Sequence, residues 1–247
     1  MSNKKILGVI PARYASTRFP AKPLADIGGK SMIRRVYEQV AKCNAVSNVV
    51  VATDHEEIFK EVETFGGKAL MTQASHQSGT DRCYEAYELI GESYDYVINI
   101  QGDEPFINPK QITELSHILD GKSEIATLAK KIDKVDDVFD PNIVKVVLSA
   151  HSQGIYFSRS PIPFQRNIER NAYLNTHDYY KHIGIYAYRT DILSKITQLP
   201  ISSLEKTESL EQLRWIENGY TIKVAKTIYQ SIGIDTPEDL QKVKDFY

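Results

Sequence analysis

The chain has 247 residues, of which 42% are apolar and 25% charged, with a formal charge of −2. That length suits one α/β domain with a real core, and the charge excludes the basic excess of a general nucleic-acid binder while leaving room for a local anion pocket. The two cysteines, Cys43 and Cys83, belong to no CxxC or Cys/His cluster, so neither a disulfide framework nor a zinc site follows from them. No run of about 18 apolar residues occurs, and Ile6 follows the first five residues directly into a strand pattern without an apolar leader. A cytoplasmic protein without a membrane partner is expected.

Ile6 to Ile10 is a compact apolar run ending at Pro11, and it predicts a buried first strand. Ser31 to Cys43 has helical spacing through Ile33, Val36, Tyr37 and Val40. Val46 to Ala52 predicts a second strand and His55 to Phe65 a helix closed by Gly66-Gly67. Lys68 to Met71 is a short third strand, Asp81 to Ile90 a helix, and Tyr94 to Ile100 a strongly apolar fourth strand. This alternation predicts a mostly parallel sheet with helices on both faces.

Beyond about residue 120 the pattern changes. Residues 125–131, 143–148, 154–157 and 181–189 read as strands with no helix between each pair, which predicts a mixed-sheet extension over roughly 125–190. A long polar excursion is expected over 158–180, a single helix over 205–218, a strand over 221–225 and a closing helix over 237–246. No repeat or linker interrupts the chain, so residues 1–247 are expected to form one domain.

In open α/β sheets ligands bind beyond the carboxyl ends of the strands. The segment that follows the first strand, residues 11–24, carries Arg13, Arg18 and Lys22 with hydroxyls at Ser16 and Thr17. Arginine forks and a lysine point charge suit phosphate oxygens, although the same composition suits a solvated basic loop. The segment is neither a Walker A loop nor a GxGxxG turn. Asp103 follows the fourth strand, and Asp235 follows the apolar run Ile232-Gly233-Ile234. Two strand-end aspartates suit Mg²⁺, a hard cation that takes one or two carboxylates plus substrate phosphates. Asp235 equally well precedes a helix start at Thr236-Pro237-Glu238-Asp239. Along 181–189, Ile183, Ile185 and Ala187 point one way, and His182, Gly184, Tyr186 and Tyr188 the other. That polar face serves either a ligand or packing under a loop.

Several blocks carry a resemblance in the same order. They are the 11–24 segment, Val51-Ala52-Thr53-Asp54-His55, Ser75-His76-Gln77-Ser78-Gly79-Thr80-Asp81-Arg82, Gln101-Gly102-Asp103-Glu104-Pro105, Tyr156-Phe157-Ser158-Arg159, His182-Ile183-Gly184-Ile185-Tyr186, Leu210-Glu211-Gln212-Leu213-Arg214 and Asp235-Thr236-Pro237-Glu238-Asp239-Leu240. Together they resemble the 3-deoxy-manno-octulosonate (Kdo) cytidylyltransferases over nearly the whole chain. The resemblance implies a Rossmann-like nucleotidyltransferase fold, a homodimer, and CTP and Kdo as substrates for lipopolysaccharide assembly. It implies Mg²⁺ on Asp103 and Asp235, with Lys22 as a catalytic cation. It places the nucleotide on Arg13, Ser16, Arg18, Lys22, His76, Ser78, Gly79, Arg82 and Gln101, and the sugar on Arg159, His182, Tyr186, Glu211 and Gln212. Members often carry glycine where this chain has Ala21, which matters if that position needs a positive φ. Rival readings are CMP transfer to 8-amino-Kdo or a sialic acid, and a sugar-nucleotide sensor without catalysis.

Overall fold

The structure, a computed structural model, describes residues 4–15, 19–230 and 232–243. Strand β1 (Ile6–Ala12) leads through a 3-10 turn at Lys22–Leu24 to helix α1 (Met32–Ala41). The chain continues through β2 (Asn48–Thr53), α2 (Glu56–Thr64), β3 (Ala69–Met71), α3 (Gly79–Ile90) and β4 (Tyr96–Asn99). Next come α4 (Pro109–His117), β5 (Ile125–Lys131), α5 (Val135–Phe139), β6 (Lys145–Leu148) and β7 (Gly154–Ser158). A short helix α6 (Tyr173–Thr176) precedes β8 (Tyr180–Arg189) and α7 (Thr190–Ile196). The last elements are α8 (Ser203–Glu208), α9 (Gln212–Glu217), β9 (Ile222–Thr227) and α10 (Pro237–Lys242).

All the strands join one sheet, ordered β3-β2-β1-β4-β8-β5-β9, with β6 and β7 branching from β8. The pairings make β1 to β6 and β9 run one way, and β7 and β8 the other. Apolar residues cover both faces, as a mostly parallel sheet requires. In β1, Ile6 and Ile10 belong to a cluster with α1, α2 and α4, whereas Leu7 and Val9 face Cys83 and Ala86 of α3. The expected architecture is therefore present. Both cysteines are buried free thiols.

The topology makes a crevice. From β1 the chain steps outward through β2 to β3, then returns across β1 to add β4 on its other side. The loops after β1 and β4 leave the same sheet edge in divergent directions, which opens a cleft at that switch point. Gly102, just after β4, is fitted to it: a Cβ there would lie 2.7 Å from the Pro11 carbonyl oxygen.

Several details differ from expectation. Helix α5 lies between β5 and β6, where no helix was expected, and buries Val138, and α7, also unforeseen, follows β8 and buries Ile192, Leu193 and Ile196. The predicted 205–218 helix is two helices, α8 and α9, broken at Ser209 with φ 52°. The carbonyls of Glu208 and Ser209 accept from the Arg159 guanidinium instead of from helical N–H groups. Helix α4, which the sequence reading passed over, starts at a full capping box between Asn108 and Gln111. The 158–180 excursion contains a 3-10 turn at Arg170–Ala172 and then α6, whose Tyr173 packs with Tyr179 and Val138 in a small separate cluster.

Candidate active site

A cavity of about 310 Å³ occupies the crevice. Its walls are the loop after β1 (Arg13, Lys22), the entry to α3 (His76, Ser78, Gly79, Arg82), the turn after β4 (Gln101, Asp103) and Asp235. These predicted nucleotide and metal residues come together from distant parts of the chain, Lys22 and Asp235 across 213 positions of sequence. Ser16 and Arg18 lie outside the described residues.

The loop folds back on itself: the Ala21 amide donates to the Tyr14 carbonyl at 3.1 Å. This closure needs a left-handed residue, and Ala21 takes φ 54°, ψ 26°. Alanine tolerates that conformation poorly. The next residue, Lys22, is half-buried and points its ammonium between two carboxylates. Its Nζ is 2.7 Å from Asp103 Oδ2 and 3.2 Å from Asp235 Oδ1. The Ile234 amide donates to the Asp103 carbonyl at 2.9 Å, so main chain holds the segment before Asp235 against the turn after β4. Asp235 does precede a helix cap, because Thr236 and Asp239 form the capping box of α10. Its own carboxylate nevertheless faces Lys22 across the cleft, so the helix start does not take it up.

Two acid oxygens converging on one cation are a test of metal fit that the site passes, with the ammonium standing in for the ion. Among the described residues, no group of three or more His, Cys, Asp or Glu side chains could hold a metal. A cation here would have two carboxylates and would take its remaining oxygens from phosphate and water, the pattern usual for Mg²⁺.

On the opposite wall, the Ser78 hydroxyl caps α3 by accepting from the Asp81 amide at 3.1 Å. The His76 ring pairs through Nε2 with Glu85. Gln101 donates to the Gly184 carbonyl at 2.9 Å and so joins the cleft to β8. Arg82 is only 3% exposed, and its guanidinium is committed to Asp54 at 2.9 Å and Thr72 Oγ1 at 2.6 Å.

The expected sugar residues do not line this cavity. His182, Tyr186, Glu211 and Gln212 cluster beside it instead, where Tyr186 lies edge-on to Trp215 at 5.2 Å and tilted against His182 at 5.1 Å. Burial drives the His182 imidazole down to about 3, so it is neutral near pH 7 and hydrogen-bonded to Thr127 Oγ1 at 3.1 Å. Burial raises the Glu211 carboxyl above its ordinary value, opposed by hydrogen bonds from Thr80 and Ser78. The Thr80 hydroxyl donates to Glu211 at 2.8 Å and contacts the Tyr188 hydroxyl at 3.2 Å, which ties α3 to the start of α9. Among the described residues, the buried Tyr186 hydroxyl, Gln212 Nε2, Trp215 Nε1 and Asn99 Oδ1 have no hydrogen-bond partner.

Arg159 is not brought to the cavity. Its Nε donates to the Glu208 carbonyl at 2.9 Å and its Nη1 to the Pro141 carbonyl at 3.0 Å, and its amide meets the Glu208 carboxylate. Beneath it the fully buried Lys145 ammonium donates to the Asp140, Ile143 and Arg159 carbonyls at 2.6–2.8 Å. Burial lowers this lysine's pKa from its ordinary value. In this structure Arg159 fixes the junction of α8 and α9 and does not face the cleft. Asp54, Thr80, Glu85 and Lys145 were given no role in the sequence reading. The signals available were the place of Asp54, just after the carboxyl end of β2, and the presence of Asp54 and Thr80 in the blocks that carry the resemblance.

A doubly wound sheet with a basic loop after its first strand and an acid pair at the switch point defines a protein of the nucleotidyltransferase fold. A model of the cytidylyltransferase family matches residues 7–228. The 3-deoxy-manno-octulosonate cytidylyltransferase of Parabacteroides distasonis is 56% identical, with 98% of each chain covered. That of Thermodesulfovibrio yellowstonii is 51% identical over 94% of each. A solved CMP:2-keto-3-deoxy-manno-octonic acid synthetase complexed with CTP superposes with a TM-score of 0.90 at 43% identity, covering 98% of both chains. A 4-diphosphocytidyl-2C-methyl-D-erythritol synthase from Anaerococcus prevotii, at 15% identity, 99% coverage of both chains and a TM-score of 0.66, shares the fold. The chain belongs to the 3-deoxy-manno-octulosonate cytidylyltransferase family.

Proposed function

We propose that this protein transfers CMP from CTP to Kdo, releasing pyrophosphate, and that it does so with Mg²⁺. The observation that carries this reading is the convergence of Lys22 with Asp103 and Asp235 at the sheet's switch point. In the reaction the anomeric hydroxyl oxygen of the sugar bonds to the α-phosphorus. The bond from that phosphorus to the bridging β-oxygen breaks, pyrophosphate leaves with that oxygen, and the hydroxyl proton passes to solvent. Arg13 and Lys22 neutralise the departing phosphates, and Arg18 is assigned the same duty by the family resemblance. Held by Asp103 and Asp235, Mg²⁺ would supply further charge neutralisation and acidify a hydroxyl. Positioning and charge stabilisation carry the rate, without a covalent enzyme intermediate.

His76, Ser78, Gly79, Arg82 and Gln101 supply the cytosine side of the cleft. The cluster of His182, Tyr186, Glu211 and Gln212 is assigned to the acidic polyol. Its unpartnered polar atoms cost about 1–3 kcal/mol each when left unsatisfied, and a ligand rich in hydroxyls would offset that. Arg159 acts on the sugar indirectly, by holding the α8–α9 junction. The whole chain works as one domain, with roughly 125–190 as a sugar-binding and dimerisation extension, in a cytoplasmic homodimer serving lipopolysaccharide synthesis. Among the described residues no helix is long and apolar enough to cross a membrane.

The test is pyrophosphate release with Kdo and each of the four nucleoside triphosphates, with Mg²⁺ and with EDTA. Release with CTP alone, abolished by EDTA, is expected. Absence of release from CTP and Kdo overturns the reading.

A further inference from the structure

Asp54 lies under the cleft, and no step of the chemistry proposed above uses it. Its two carboxylate oxygens serve two different walls. Oδ1 accepts the Tyr14 amide of the phosphate-side loop at 3.1 Å. Oδ2 accepts from Arg82 on α3, the base-side wall, at 2.9 Å. The ion pair is nearly dry, with side chains 11% and 4% exposed.

Both partners are themselves tied down. Arg82 donates its other nitrogen to Thr72 Oγ1, and that hydroxyl donates to the Thr53 carbonyl at 3.1 Å, which returns to the end of β2. Tyr14 stacks its ring on His55 with centroids 3.7 Å apart. The Tyr14 carbonyl takes the Ala21 amide, one residue before Lys22. The path from α3 to the Lys22 ammonium therefore runs through Asp54 along a short set of hydrogen bonds. A nucleoside triphosphate must touch both walls at once. Its affinity depends on their spacing, since a ligand engaging both walls gains from each only when both stand at the distance its own length sets.

We infer that Asp54 is a positioning residue that sets the spacing between the base-binding and phosphate-binding walls of the nucleotide cleft. This rests on the reading of the cleft as a CTP site. Asp54 makes the two half-sites act as one, and it also neutralises Arg82, so that the cleft's remaining cations face the phosphates.

The spacing role predicts a pattern that a merely structural role does not. A ligand touching one wall is indifferent to the distance between walls, and a ligand touching both is not. Isothermal titration of the full chain with CTP, pyrophosphate and cytidine separates these cases. In Asp54→Ala, CTP should bind about ten- to a hundredfold more weakly, whereas pyrophosphate and cytidine should each stay within about threefold of wild type. Asp54→Asn keeps one acceptor and loses the other, so it should fall between wild type and Asp54→Ala. It carries the same readout if the alanine variant does not fold. In turnover, kcat/KM for CTP should fall with a raised KM for CTP, while the KM for Kdo holds nearly constant. Equal weakening of all three ligands, or unchanged CTP affinity with a lowered melting temperature, overturns the inference. A wild-type chain that binds pyrophosphate but not CTP sinks instead the reading of the cleft on which it rests.

Discussion

The cleft at the β1–β4 switch point and the cluster around Tyr186 lie side by side and are built on opposite principles. In the cleft the charges are paired before any ligand arrives: Lys22 with Asp103 and Asp235, and Arg82 with Asp54. In the Tyr186 cluster, burial comes first and the polar atoms wait. A hydroxyl, an amide nitrogen and an indole nitrogen are enclosed without partners, and His182 is kept neutral. On the function proposed above, the first arrangement suits a highly charged triphosphate, because the cleft's cations and carboxylates are held together before it arrives. A site for an uncharged stretch of polyol can leave its donors unsatisfied, at a cost in stability that binding offsets.

That contrast can be broken experimentally. The largest effect is expected in the paired region, where Asp103→Asn should lower turnover by about 10²–10³ or more while leaving the melting temperature nearly unchanged. Lys22→Met should lower turnover comparably. It should also tighten Mn²⁺ binding without nucleotide, measured by electron paramagnetic resonance, because the competing ammonium is gone. Unchanged Mn²⁺ affinity would mean that the ammonium does not occupy the cation's place.

The waiting region is next. Tyr186→Phe removes a hydroxyl that has no partner, so stability should stay within about 0.5 kcal/mol of wild type or rise. The KM for Kdo should climb about tenfold. A clear loss of stability with unchanged KM would show that the hydroxyl is a structural group.

His182 gives a pH test of the same burial. Its folded-state value near 3 lies below the ordinary 6.5, so the unfolded chain binds the extra proton first. Stability is full above about pH 6.5 and falls as the pH drops toward 3, by up to about 1.4 kcal/mol per pH unit from this one group. Urea unfolding across that window should show a shallower slope in His182→Asn. A slope unaltered by the substitution would place the ring in water.

The smallest effect belongs to the loop. Ala21→Gly relieves a left-handed alanine and should stabilise the chain by about 0.5–1 kcal/mol in urea unfolding, the gain being trimmed by glycine's greater freedom in the unfolded state.

Some of this was legible without coordinates. The apolar run at Ile6 to Ile10 and the one ending at Ile100 marked strands buried on both faces, and the residues just after them mark the cleft. Local signals such as Gly66-Gly67 and Thr236-Pro237 punctuated the helices where the structure ends and starts them. Helix α4 was missed although its Asn108-Pro109 start and Gln111 are a local signal, while the other misses at the site depend on partners far away in sequence. The break at Ser209 goes with an arginine about 50 residues earlier, whose guanidinium is spent on the Pro141, Glu208 and Ser209 carbonyls, and Lys145 holds that arginine's own carbonyl from beneath. The joint service of Asp54 to Tyr14 and Arg82 cannot be read from spacing, because nothing local marks it.

By itself the amino-acid order determined the alternation of strands and helices, the two faces of the sheet, and the presence of cations and acids at strand ends. Those properties arise from interactions a few residues long and from the periodicity of apolar side chains. Tertiary structure alone decided that Lys22 stands between Asp103 and Asp235, and that Tyr186 and His182 are enclosed while Arg159 is spent on carbonyls. Distances between groups tens to hundreds of residues apart are set by how the sheet and its loops pack, and no local rule carries that information.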